Sequence, residues 1–180
     1  MLLKRTTLEG ALEIECLPQK DKRGSFVRFF CQKSLSKLFN NTKIVQINSS
    51  YSRMAGTIRG LHFQSYPSQE NKFIRCIKGK IFDVIVDLRK ESKTFGKSYS
   101  VILDSKKMNM IFVPSGFAHG FQTLLPDCEI LYLHTDYHNT ELERGYHYKS
   151  NDLKIPWPIE VTQISEKDKN LEIFKFERKK

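Results

Sequence analysis

The sequence has no apolar run long enough to cross a membrane. Its longest uncharged stretch, residues 108–126, is interrupted by Pro114, Gly116 and Gly120, a pattern typical of strands and turns. The N-terminal segment MLLKRTTLEG lacks the apolar core of a secretory signal, and the mean hydropathy is -0.45. We therefore expect a cytoplasmic protein that does not enter the membrane.

Cysteine is also scarce. The four cysteines, at positions 16, 31, 76 and 128, are not paired at the spacing of metal ligands. A chain without a secretory signal is expected to remain in a reducing compartment, where disulfide frameworks are rare. The cysteines therefore predict neither a zinc site nor a set of disulfides.

Acidic residues are outnumbered, since 30 Lys and Arg against 20 Asp and Glu give a net charge of +10. Such an excess favours an anionic partner, which could be nucleic acid, an acidic membrane surface or a phosphorylated small molecule. The one dense basic run is RKK at 178–180, and no zinc-finger, basic-region or helix-turn-helix pattern is present. Nucleic-acid binding would rest on charge alone, so we predict none.

The dominant hydrophobic period is two, which predicts strands. A chain of 180 residues is about one domain, and we expect a single domain over residues 1–180. Strand-like runs bounded by turn residues are KIVQINSSYS (43–52), KFIRCIKG (72–79), FDVIVD (82–87), SYSVILD (98–104), MNMIFVP (108–114), HGFQTLL (119–125) and EILYLHT (129–135). So many short strands predict a sandwich or barrel, most simply a jelly roll.

Helical signals are few. We predict one helix over residues 32–39, after an N-terminal hairpin. The tail, residues 165–180, mixes apolar and charged residues and predicts either a short helix or a strand that contacts a partner.

Two segments resemble the paired motifs of the cupin barrels. GTIRGLHFQSYPSQENKFIRCIKG (56–79) resembles the first motif and PSGFAH (114–119) the second. In metal-binding cupins these motifs supply three histidines and a glutamate. Here Gln64 and Lys72 stand at two of those positions, and a lysine would repel a cation. The resemblance therefore implies the barrel, whereas no bound metal is expected.

A narrower resemblance covers nearly the whole chain. Its segments, in order, are RGSF (23–26), QIN (46–48), IRGLHFQ (58–64), ENKFIR (70–75), FDVIVDLR (82–89), SKTFG (92–96), PSGFAHGF (114–121), LY (131–132), DLKIPWP (152–158) and ISEKD (164–168). Together they resemble the nucleotide-sugar epimerases of the dTDP-4-dehydrorhamnose 3,5-epimerase family. The resemblance implies an all-β cupin jelly-roll β-barrel with short peripheral helices, a homodimer, and no metal or other cofactor.

The resemblance also implies the chemistry. The substrate would be a nucleotide-linked 4-keto sugar, whose ketone acidifies the neighbouring C–H bonds. Epimerisation at C3, C5 or both needs a base, an acid on the opposite face and a group that holds the enolate oxygen. By resemblance these roles fall to His62 as base, Asp168 as its partner, Tyr132 as acid and Lys72 beside the oxygen.

Two alternatives remain at this stage. A keto-isomerase would act on similar sugars, and a sugar-binding cupin would have lost catalysis. The presence of all four residues favours epimerisation over both, in the synthesis of a surface polysaccharide.

The remaining site residues also follow from the resemblance. Those expected to contact the nucleotide or sugar are Arg23, Gln46, Asn48, Arg59, Lys167 and, near the base, Glu143. Phe26 is expected to reach across a dimer interface and stack near the base, with Tyr137 on the other side of that slot. His119 either contacts the sugar or phosphate or is a residual cupin histidine. We expect His134, His138 and His147 on the surface.

The chain departs from the family pattern at Arg28, where the family usually has an acidic residue. An arginine can donate two hydrogen bonds to O6 and N7 of guanine, whereas a carboxylate can accept the N3 proton of thymine. Arg28 therefore favours a GDP-linked 4-keto-6-deoxy sugar or heptose. In the alternative, Arg28 faces solvent and the substrate is the dTDP-linked sugar. Thr140 is a second departure, at a position where the family often has proline.

Overall fold

The computed structural model describes residues 1–39 and 42–176, so the basic run at 178–180 lies outside the described residues. The strands are β1 (Leu2–Arg5), β2 (Leu12–Glu15), β3 (Gln19–Asp21), β4 (Gly24–Phe26), β5 (Gln46–Ser52), β6 (Ile58–Gln64), β7 (Lys72–Lys78), β8 (Lys80–Asp87), β9 (Ser98–Asp104), β10 (Asn109–Val113), β11 (Phe117–Thr123), β12 (Cys128–His134) and β13 (Glu143–Gly145). Short 3-10 turns lie at Ser36–Leu38 and Asn151–Leu153, and the α-helix α1 spans Glu166–Lys169.

Two antiparallel sheets face each other and enclose the core. One has six strands in the order β1-β2-β10-β7-β12-β5, and the other has five in the order β13-β6-β11-β8-β9. Between them lie fully buried side chains such as Ile74, Ile85 and Ile111. This arrangement confirms the predicted all-β jelly roll.

The strand predicted from FDVIVD is buried on both faces rather than on one. The outer face of the five-stranded sheet is covered by residues that follow β13, including Leu153, Trp157 and Phe174. Phe82, Val84 and Val86 pack under that cover. Asp83 and Asp87 alternate with them on the inner face, beside Ile85, and are completely buried there. Alternation predicts a strand but does not show which segment will cover its second face.

The helix predicted over residues 32–39 is wrong. The chain there makes turns, with a single 3-10 turn at Ser36–Leu38. Leu35 and Phe39 are buried against Phe73, so packing rather than helical hydrogen bonding fixes this segment. The prediction of a short helix in the tail is confirmed for α1, whose N-cap Ser165 accepts a hydrogen bond from the Asp168 amide.

Strands β6 and β11 approach each other very closely at a pair of glycines. A Cβ atom on Gly60 would lie 2.6 Å from the Cα of Gly120 and 2.7 Å from the carbonyl oxygen of His119, so no side chain fits there. His62 and His119 are direct partners in the same ladder. Among the described residues, no helix is long and apolar enough to span a membrane.

Candidate active site

A cavity of about 620 Å³ opens between the two sheets. Its walls come from β5, β6, β7, β11 and β12, and the segment around α1 closes one side. The predicted site residues that line it are Gln46, Asn48, Arg59, His62, Lys72, His119, Tyr132, Glu143, Lys167 and Asp168. The fold thus gathers in one place all four residues expected to carry the chemistry.

His62 is bonded to a buried carboxylate. Its Nε2 lies 2.7 Å from Oδ1 of Asp168, and the other carboxylate oxygen accepts the Gly60 amide at 3.1 Å. Burial raises the pKa of Asp168, but the hydrogen bonds from His62 and Gly60 outweigh burial and leave that pKa below its usual value. An ionised carboxylate only accepts hydrogen bonds, so Nε2 is the donor, and in the neutral ring this leaves the lone pair on Nδ1 of His62.

Tyr132 lines the cavity from the opposite sheet. It lies on β12, and its hydroxyl is 2.9 Å from Oγ of Ser50 on β5. Burial raises the pKa of Tyr132 well above its ordinary value, because the phenolate would lose its solvation. The phenol therefore keeps its proton and can act as a donor.

Lys72 lines the cavity beside Glu70 and His134, which were not predicted from the sequence as site residues. Its Nζ is 3.2 Å from Oε2 of Glu70, and the other oxygen of Glu70 is 2.7 Å from Nδ1 of His134. The prediction that His134 lies on the surface is wrong, since only 8% of it is exposed. Its position two residues after Tyr132 on one strand places both side chains on the same face, and that signal was available.

His119 forms a second histidine–carboxylate pair in the cavity floor. Its Nε2 is 2.7 Å from Oδ2 of Asp83, and both side chains are almost fully buried. Burial raises the pKa of Asp83, while the contact with His119 opposes that rise. The His119 ring also packs edge-on against Tyr132, with 6.2 Å between ring centres.

Basic groups line the rim of the cavity. Lys167 pairs with Glu143 at 2.7 Å. The Arg59 guanidinium donates to the Ser52 hydroxyl at 3.2 Å and to the Tyr51 carbonyl at 2.9 Å. A rim with Lys167 and Arg59 suits a phosphorylated ligand.

The two other histidines predicted on the surface differ in exposure. His138 is exposed as predicted, whereas His147 is half-buried.

Four predicted binding residues lie outside this cavity in the single chain. Arg23 is bonded to Asp21 within the β3–β4 ribbon, and Phe26 is 67% exposed. Arg28 lines a smaller cavity together with Phe26, and Tyr137 lies in a shallow depression next to the large cavity. The guanine contact expected of Arg28 is therefore not prepared within one chain.

Gln64 stands where metal-binding cupins have a further histidine, and its side chain forms hydrogen bonds within the protein. The Gln64 amide donates to the Tyr137 carbonyl at 3.1 Å and accepts the Asn139 amide at 2.7 Å. Within residues 1–39 and 42–176, no three His, Cys, Asp or Glu side chains are grouped to hold a metal ion.

Comparison with known sequences gives one consistent family. A model of the dTDP-4-dehydrorhamnose 3,5-epimerase family matches residues 5–175. The dTDP-4-dehydrorhamnose 3,5-epimerase of Methanothermobacter thermautotrophicus is 40% identical over 169 residues, which cover 92% of this chain and 90% of the relative.

Solved structures agree. The dTDP-4-dehydrorhamnose 3,5-epimerase of Bacillus anthracis, with TDP and PPi bound, has a TM-score of 0.92 at 39% identity and covers 96% of this chain and 99% of its own. The dTDP-6-deoxy-D-glucose-3,5-epimerase of Legionella pneumophila, in complex with dTDP-4-keto-L-rhamnose, has a TM-score of 0.90 at 36% identity, covering 96% and 92%. These names specify dTDP-linked sugars, so they favour the thymidine alternative and do not support the guanosine prediction.

Proposed function

The chain belongs to the dTDP-4-dehydrorhamnose 3,5-epimerase family, and from that premise we propose that it inverts C3 and C5 of a dTDP-linked 4-keto-6-deoxyhexose. The observation that carries the proposal is the His62–Asp168 pair, which faces a cavity whose opposite wall presents the protonated Tyr132.

The reaction begins with proton removal beside the ketone. Nδ1 of His62 takes the proton, and the buried Asp168 carboxylate stabilises the imidazolium that forms. The electron pair of the C–H bond moves toward the ketone and leaves negative charge on its oxygen. The Lys72 ammonium in the same cavity stabilises that charge.

Inversion requires that the proton return on the other face. Tyr132 comes from the six-stranded sheet and His62 from the five-stranded sheet, so a ring bound between the sheets has one group on each side. The phenol donates its proton to the carbon, and the ketone is restored. Exchange with water then removes the proton from the His62 imidazolium and returns one to the Tyr132 phenolate, so both groups are reset. The same two groups serve C3 and C5 in turn when the ring shifts between them.

The nucleotide is held, in this proposal, by the basic rim and by a second copy of the chain. Arg59 and Lys167 contact the diphosphate. Phe26, an exposed aromatic side chain on the β3–β4 ribbon, stacks near the base in the partner's cavity within a homodimer. The relatives' names and the TDP in the Bacillus anthracis structure support thymidine as the base.

Incubation in heavy water tests the reaction directly. The dTDP-linked and GDP-linked 4-keto-6-deoxyhexoses are supplied in parallel, and mass spectrometry counts the deuterium atoms gained. We expect two deuterium atoms in the dTDP-linked sugar, at C3 and C5. A gain of one deuterium atom would restrict the activity to a single carbon. Faster turnover of the GDP-linked sugar would restore the guanosine prediction. No deuterium incorporation in either sugar would refute the proposed function.

A further inference from the structure

The carboxylate of Glu70 is bonded at both oxygens. One oxygen faces Nζ of Lys72 at 3.2 Å and the other faces Nδ1 of His134 at 2.7 Å. The side chains of Glu70, His134 and Lys72 are 8%, 10% and 12% exposed. A charged group this poorly hydrated is costly unless it is paired, so these contacts fix where the three side chains lie.

His134 is in turn held from several directions. On the sheet it is the direct partner of Lys72 on β7 and of Gln46 on β5. Its ring stacks on Tyr132 with 6.1 Å between centres, and its Nε2 lies 3.5 Å from the side-chain amide of Asn48. His134 therefore gives Glu70 a rigid anchor in the cavity wall.

The charge of Glu70 also favours its contact with Lys72. Burial favours the protonated form of Glu70, but the hydrogen bond from His134 and the charge of Lys72 outweigh it and keep the pKa of Glu70 below its usual value. Glu70 is thus a carboxylate. In the described part of the chain, no other carboxylate forms an ion pair with Lys72. A lysine side chain has four rotatable bonds, so a single anchored partner decides where its ammonium points.

We propose that Glu70 is a positioning residue: anchored by His134, it holds the Lys72 ammonium aimed at the place where the ketone oxygen of the sugar binds. The inference rests on the proposed function, because it assigns Lys72 to the enolate. It adds an element that the cupin motifs do not contain, a carboxylate–imidazole pair beside the enolate-binding cation.

Glu70→Gln tests this with little change of shape. The amide oxygen can still accept from His134, but the charge facing Lys72 is gone. Removing a preorganised donor lowers kcat by about 100- to 1,000-fold. Misplacing the donor should lower kcat less, on the order of tenfold. The charge on the ketone oxygen develops only in the transition state, so KM should change by less than about twofold. Glu70→Asp restores the charge and should recover part of kcat.

A matched control lies on the same two strands. Glu129 faces Lys78 at 3.9 Å, outside the cavity, where Lys78 is exposed and Glu129 is half-buried. Glu129→Gln should leave kcat and KM unchanged. Wild-type kcat in Glu70→Gln would overturn the proposal, as would equal kcat values in Glu70→Gln and Glu70→Asp. If Glu70→Gln does not fold, His134→Gln replaces it, and a kcat equal to the wild type would then refute the anchor.

Chemical labelling separates this proposal from the proposed function. Acetic anhydride modifies only uncharged amines, and tandem mass spectrometry resolves Lys72 from the exposed Lys78 in one peptide. Glu70→Gln should raise the labelling rate of Lys72 about threefold or more at pH 8, because the amine is released from the ion pair that holds it in the cavity wall, with Lys78 unchanged. If the wild type is inactive on the sugar, the proposed function fails, yet labelling still decides the role of Glu70. Equal Lys72 labelling in both proteins would refute it.

Discussion

Replacing Asp168 by asparagine is expected to disable His62 without moving it. The backbone N–H of Gly60 donates to the side chain at position 168, so the side-chain oxygen of the asparagine must accept that hydrogen bond. Its NH₂ group then faces Nε2 of His62, which has to become the acceptor. The proton moves to Nδ1, and the nitrogen proposed as the base loses its lone pair.

The size of the effect follows from the role of the base. A positioned general base contributes about 100- to 10,000-fold, so kcat should fall by that factor, equivalent to about 2.7 to 5.4 kcal/mol. The fold should persist, because the asparagine keeps one hydrogen bond to each partner. Weakening a hydrogen bond to a charged group costs about 1 to 3 kcal/mol of stability.

Turnover and deuterium incorporation are measured together with thermal unfolding. Glu166→Gln is the control, since Glu166 lies on the same helix and its side chain pairs with the exposed Lys169. That variant should match the wild type in both assays. Asp168→Asn that folds and still exchanges hydrogen at the wild-type rate would show that His62 is not oriented through this carboxylate.

Three further outcomes are expected. Tyr132→Phe should lower turnover by about 100-fold or more. Deuterium counts should show that the exchange promoted by His62 continues. Unchanged turnover would contradict the role of Tyr132 as acid. Asp87, bonded to Arg89 and two hydroxyl groups, has its pKa lowered from 3.8 to about 2. Wild type should therefore be about 2 kcal/mol more stable than Asp87→Asn at pH 7, and the difference should vanish as pH falls from about 4 to about 2, measured by urea unfolding. Phe26→Ala should weaken dTDP binding by about tenfold in calorimetry, and unchanged affinity would place Phe26 away from the base.

The strands were predictable because their signal is local. Alternation and turn residues placed SYSVILD at the bounds that β9 has in the structure. The residues 32–39 carried no such signal, because the burial of Leu35 and Phe39 depends on Phe73, which is distant in sequence. Helical spacing alone could not distinguish one turn from a helix.

The site was predictable only as far as the family resemblance reached. His62, Lys72, Tyr132 and Asp168 could be named, but no sequence pattern shows that Glu70 and His134 meet across two strands. That contact depends on the register of β7 against β12. Arg28 could be placed beside a nucleobase by analogy, yet it follows the β3–β4 ribbon and lines a smaller cavity, not the large one.

The helix α1 carries the carboxylate of the proposed catalytic pair on only four residues, of which Asp168 alone is buried. His62, by contrast, lies on a central strand of the barrel, 106 positions earlier in the chain. Segments with so little buried surface open at a lower free-energy cost than the sheets to which they attach. Heating should therefore release α1 before the barrel melts, and activity should disappear at a lower temperature than the fold.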